Sequence, residues 1–128
     1  MRFPAAPALL FLASIGAACG DDALTRPTGL PILTYPAGRE FTLTLIMDRC
    51  RQSCETYAPS ECEVSVEASD RVVEVSPRVP FERTDGVACN ENCSGAAVLA
   101  HCAVGALEAG AWTVEAANGG FRQAITLR

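Results

Sequence analysis

The hydrophobic pattern along this chain has a period of two. Over residues 40–47 the apolar side chains Phe41, Leu43, Leu45 and Met47 alternate with Thr42, Thr44 and Ile46, which puts one strongly apolar face on an extended strand. The same alternation returns over 62–67, 71–76, 112–116 and 121–127. Asn118-Gly119-Gly120 joins the last two of these runs, and Asn-Gly between alternating segments is a strong hairpin signal. Weaker β-like runs lie at 30–35, broken by Pro31 and Pro36, and at 77–83, punctuated by Pro80. Proline confines such runs to sheet edges. Residues 96–103 are rich in alanine, which favours helix, but the short strands around them favour strand. Pro36-Ala37-Gly38, Ser69-Asp70 and Asp85-Gly86 mark turns, whereas 20–31, polar and interrupted by Pro and Gly, reads as a tether. Many short strands separated by turns predict an all-β fold, an antiparallel sandwich or small barrel.

Leu107, Gly110, Trp112 and Val114 sharpen that prediction. Their order, Leu-x-x-Gly-x-aromatic-x-Val, resembles the lead into strand F of immunoglobulin-type domains. The resemblance implies an antiparallel immunoglobulin-like β-sandwich over 31–128 and says nothing about a ligand. Trp112 stands where that family carries Tyr, and an indole cannot make the hydroxyl bond of a tyrosine corner, so that device is absent or replaced.

The start of the chain concerns destination. Arg2 is followed by the apolar run 8–15 and by the small residues Gly16, Ala17 and Ala18, the parts of an export signal. The run is shorter than the roughly 20 apolar residues a membrane-spanning helix needs. Cys19 comes next. Ala17-Ala18-Cys19 resembles the lipobox of bacterial lipoproteins, with Gly16 where that family usually has Leu. The resemblance implies cleavage before Cys19, acylation of its thiol and amine, and anchoring in a bacterial envelope, the outer membrane or cell surface being favoured. The alternative is an ordinary secretory signal cut after Ala18 or Gly20, giving a secreted or periplasmic protein. The expected organisation is a signal peptide over 1–18, a lipidated N-terminus and short tether over 19–30, and one domain over 31–128.

The chain has 7 cysteines, and setting Cys19 aside leaves an even number. Cys50, Cys54 and Cys62 form one trio and Cys89, Cys93 and Cys102 another, each opening with a three-residue gap. Outside the cytoplasm such cysteines pair as disulfides. A trio is odd, so full pairing sends at least one bridge between the trios, closing a loop of roughly 30 to 50 residues and adding ~3–4 kcal/mol. An immunoglobulin-type topology brings loops 49–61 and 85–95 to one end, where they could be stapled. It leaves Cys102 near the opposite end, so the pairing stays open. A metal reading competes poorly: Cys/His sites favour a two-residue gap, and the single His101 neighbours Cys102 on what reads as a strand.

Composition removes several functions. The net charge is −5, and all ten Lys+Arg positions are Arg. A surface of that sign argues against nucleic acid and against electrostatic docking to anionic lipid. No Gly-x-Ser-x-Gly or phosphate-binding Gly loop occurs. His101 lacks an evident nucleophile; Asp85, Asn90, Glu91 and Asn92 offer oxygens without EF-hand spacing; Trp112, Tyr35 and Tyr57 could make a sugar-stacking platform; Arg49 and Arg51 could rim an anion site. The expectation is a protein without cofactor, metal or catalytic residues. It would be a lipid-anchored interaction or structural module with an envelope protein as partner, or alternatively a ligand-binding module using loops 49–61 and 85–95.

Overall fold

The computed structural model describes residues 22–90 and 97–128, so the leader, Cys19, Glu91, Asn92 and Cys93 lie outside the described residues. Within them the chain forms β1 (Asp22–Leu24), β2 (Pro27–Gly29), β3 (Thr34–Tyr35), β4 (Phe41–Cys50), β5 (Glu55–Tyr57), β6 (Glu61–Glu67), β7 (Val72–Arg83), β8 (Ala97–Val104), β9 (Gly110–Ala116) and β10 (Arg122–Leu127). The fold is all-β. β1, β7, β9, β10 and β3 make one sheet, with β5 and β6 also paired to β7; β2, β4 and β8 make the other.

The alternating residues point where the pattern sends them. Phe41, Leu43, Leu45 and Met47 of β4 and Val98, Ala100, Cys102 and Val104 of β8 turn one face of the smaller sheet inward. Val73, Val75 and Val79 of β7, Trp112 and Val114 of β9, and Ile125 and Leu127 of β10 face them across a single core. The alanine-rich run is strand, because its even-numbered residues supply half of that inner face.

β7 is one strand of 12 residues, not two short ones. Successive residues aim their backbone groups at opposite edges. The Val75 carbonyl accepts from Ala117 N–H on one edge and the Pro80 carbonyl from Ala58 N–H on the other. By that alternation Pro77 aims its missing N–H at the gap between β9, which pairs as far as Val75, and β1, which begins at Val79. Pro80 aims at the gap between β6, ending opposite Arg78, and β5, starting opposite Phe81. Each proline thus sits where an edge changes partner and no ladder bond is lost.

The sheets are not wholly antiparallel. β9 runs parallel to β7, and β3 parallel to β10. Between β7 and β9 the chain crosses to the other sheet and returns along β8, so it re-enters the first sheet in the original direction. Two further expectations change. Residues 22–29 are not a tether: β1 pairs with β7 and β2 with β4, with Leu24 and Pro27 buried. Within 49–61, read as loop, β5 pairs with the end of β7. The final hairpin also has a longer turn than Asn-Gly alone implies. Ala116 N–H bonds to the Phe121 carbonyl, and the positive φ values fall on Gly119 (81°) and Gly120 (83°).

At the corner leading into β9, Trp112 Nε1–H donates to the Glu108 carbonyl at 3.0 Å, a bond to the backbone four residues upstream. Arg71 lies 5.3 Å from the Trp112 ring centre and donates to the Ala109 carbonyl and to Glu108. Gly110 adopts φ 132°, and a Cβ there would come within 2.7 Å of Arg71 Nη1. Gly110→Ala is therefore expected to lower unfolding free energy by about 1–3 kcal/mol. Trp112→Phe, which strands the Glu108 carbonyl, should cost about 1–3 kcal/mol. Urea denaturation followed by circular dichroism measures both; wild-type midpoints would refute the corner's role.

Candidate functional site

The end of the molecule where β4 and β7 finish and β8 begins carries most of the unusual chemistry. Cys54 and Cys89 form a disulfide with Cα atoms 4.7 Å apart, tying the segment after β4 to the segment after β7. Ser53 reinforces it: its N–H donates to the Asn90 carbonyl, its Oγ donates to the Ala88 carbonyl at 2.6 Å, and Asn90 N–H donates to that Oγ. Loops 49–61 and 85–95 therefore meet and are stapled along their described residues. Cys50 is disulfide-bonded as well.

Cys62 and Cys102 make the other described bridge, Cα atoms 5.2 Å apart. It belongs to the core and not to the loop end. Cys62 sits in β6 opposite Pro77, and Cys102 in β8 opposite Leu43, so the bond joins the two sheets. The expected remoteness of Cys102 from every other cysteine fails because Cys62 is a strand residue on an inward-facing position. Both described bridges join the first trio to the second. Their sequence separations of 35 and 40 residues correspond to about 4 kcal/mol each in the chain-entropy description.

Next to the Cys54–Cys89 bridge lies a group the sequence did not reveal. Glu55 has no exposed side-chain surface. Its Oε1 accepts from Arg49 Nη2 at 2.8 Å and from the Tyr57 hydroxyl at 2.7 Å, and its Oε2 from Arg83 Nη2 at 3.1 Å. Tyr57 in turn accepts from the Gln52 backbone N–H at 3.0 Å. Arg49 stacks 4.5 Å above the Phe81 ring and Arg51 5.1 Å from Tyr57. A buried carboxylate is tolerated only when paired and hydrogen-bonded, and three donors meet that condition here. These bonds draw the ends of β4, β5 and β7 together. They also occupy the carboxylate, which leaves it a poor candidate for a general base.

The other sequence candidates do not converge. Tyr35 is core, packed 5.0 Å from Phe41; Trp112 is buried at its corner; Tyr57 is committed to Glu55, so the three rings form no stacking platform. Arg49 belongs to the ion cluster, so the pair flanking Cys50 does not form an open rim. His101 Nδ1 lies 3.4 Å from Thr44 Oγ1, and His101 N–H donates to Ser60 Oγ. Asp85 is exposed. Among the described residues no group of three or more His, Cys, Asp or Glu side chains could hold a metal ion.

A groove of about 390 Å3 runs beside the edge of β8, lined by Arg51, Tyr57, Ser60, Leu99 and His101. A larger open hollow of about 670 Å3 lies elsewhere, on the outer face of the larger sheet between Glu61, Glu63, Arg78 and Asn118.

Removing the carboxylate tests the cluster. Glu55→Ala leaves two guanidinium groups unpaired and should destabilise by about 2–4 kcal/mol. Arg83→Ala should cost far less, because the Arg83 side chain is 58% exposed and exposed pairs contribute ~0–1 kcal/mol. Denaturant midpoints in the reverse order would refute this assignment.

Alkaline pH supplies a second test. Burial, and next the hydrogen bond to Glu55, raises the Tyr57 pKa above its ordinary 10.0. Below that value the folded and unfolded chains both hold the proton and the contribution is intact. As pH rises through the raised folded value the unfolded state binds fewer protons, so stability falls. Tyr35, raised by burial, acts in the same direction. Tyr57→Phe should shrink the loss of stability above pH 10.0, measured as Tm against pH; an unchanged slope would count against the bond.

No protein-family model matches this chain, and no curated protein or solved structure matches it either.

Proposed function

We propose that this chain is an extracytoplasmic, lipid-anchored protein of a bacterial envelope whose immunoglobulin-like β-sandwich acts as a non-enzymatic interaction or structural module. The observation that carries the reading is the state of the cysteines. Cys50, Cys54, Cys62, Cys89 and Cys102 are all disulfide-bonded, and such bonds persist in oxidising compartments outside the cytoplasm. Cys19 stands apart from both trios, behind an export-type leader and in a lipobox-like setting, where acylation gives it a separate role.

The immunoglobulin-like description draws support from the β9–β10 hairpin, the β4–β8 pair facing it across one core, and the indole bond at the corner. The parallel β7–β9 pair departs from the all-antiparallel sheets of that architecture. The non-enzymatic reading draws support from the commitment of Glu55 to three donors and from the setting of His101 beside a threonine hydroxyl. The groove beside β8 favours a second reading, in which the Cys50–Ser60 side of the molecule takes a ligand.

Anchoring is tested by Cys19→Ala in the bacterial host. The wild-type protein should partition into the detergent phase and pellet with membranes, and the variant should move to the soluble fraction. A variant that still follows the membrane would sink the reading. Labelling of the exported protein with a thiol reagent under denaturing, non-reducing conditions should leave those five bonded cysteines unmodified; their modification would remove the oxidising-compartment argument.

A further inference from the structure

The direction of the first strand bears on how an anchored domain would stand. β1 runs antiparallel to β7, with Asp22 opposite Phe81 and Leu24 opposite Val79. The chain therefore reaches Asp22 from the side of Glu82 and Arg83, the side on which the Cys54–Cys89 bridge lies: Thr84 N–H bonds to the Cys54 carbonyl at 2.7 Å. Since β1 begins the sheet at Asp22, three residue steps separate it from Cys19. Fully extended, three steps reach at most ~11 Å. β7 alone, at 12 residues, is about 40 Å long. A leash of that length cannot carry the acyl group past the molecule to its other end.

We infer that the disulfide-stapled end of the domain rests on the phospholipid headgroups of the membrane that holds the Cys19 lipid. This rests on the anchored reading above and adds the orientation to it. The surface turned to the headgroups includes Arg51, Arg83, Asp85 and Val87, the last an apolar side chain 46% exposed. Its charges are mixed: Arg51 stands against Asp48, Glu82 and Asp85, and both Arg49 and Arg83 are taken up by Glu55. Such a face suits a zwitterionic headgroup layer and needs no anionic lipid. The opposite end, with the turns 36–40, 68–71 and 105–109, points away from the bilayer. Most of the outer face of the larger sheet, where Glu63, Glu67, Glu74 and Glu115 are carried on β6, β7 and β9, stands to the side, clear of the headgroups.

The test uses the lipidated full chain in phosphatidylcholine vesicles containing a lipid with a nitroxide on its headgroup. The single native Trp112 gives the baseline emission. Val87→Trp adds a reporter at the stapled end and Ala106→Trp adds one at the other; both positions are exposed. Arg51→Trp repeats the first reading on a separate loop should Val87→Trp fold poorly. The stapled-end tryptophans should lose most of their added emission to the nitroxide while the Ala106→Trp emission is retained. Replacing part of the phosphatidylcholine with phosphatidylglycerol should not alter that contrast. Vesicle flotation is scored on the same samples. Failure to float overturns anchoring and orientation together. Flotation with equal quenching, or with Ala106→Trp quenched more, overturns the orientation and leaves anchoring standing.

Discussion

Backbone pairing along β7 is the constraint on which the rest of this molecule depends. Its 12 residues meet β6 and β5 on one edge and β9 and β1 on the other. A strand with partners at both edges ordinarily excludes proline, because each proline deletes a ladder donor. Here Pro77 and Pro80 face the two points at which an edge passes from one partner to the next. The prolines therefore mark where the neighbours divide. From that division follow the position of β1, the short β5, and the return of the chain through β8 that makes β9 parallel.

The second sheet has fewer resources. Of its three strands, β2 is short, and β8 contributes Val98, Ala100 and Val104, side chains that bury modest area. Area burial at roughly 25 cal/mol per Å² gives such residues less than a core rich in aromatics would receive. The Cys62–Cys102 bridge crosses between the sheets in the middle of this apolar contact, and Cys54–Cys89 closes one end. A small domain with a thin core is the setting in which cross-links contribute most.

The long strands were legible in the sequence because each has one buried face and keeps the period of two. That rule fails where the inward residue is polar or the strand is too short to show a period. β5 contains Glu55 at its buried position; read by hydrophobicity it is a polar loop, and only the arginines from β4 and β7 make the burial tolerable. Those arginines lie 6 and 28 residues away, so no local pattern reports them. β1 and β2 have three residues each, β2 with a proline, and they are strands because β7 and β4 offer open edges. The corner at Trp112 was half legible: the spacing from Leu107 to Val114 indicated the place, but the indole N–H bond to the Glu108 carbonyl needed coordinates. The cysteine count implied bridges between the trios without indicating that one joins loops and the other joins sheets.

The loss of the tether changes the functional argument more than any other difference. A flexible spacer would let an anchored domain turn any face outward, and the stapled loops could then meet a ligand in solution. With β1 already part of the sheet at Asp22, that freedom is gone. Under the anchored reading the cysteine-framed loops and the membrane compete for the same space. The second reading, a ligand site framed by those loops, then holds best for a protein released from the membrane. For an anchored one, a partner would meet the acidic sheet face and the far turns. For an anchored protein, orientation relative to the bilayer thus separates the two readings of function, and three residues of chain and the direction of one short strand would set it.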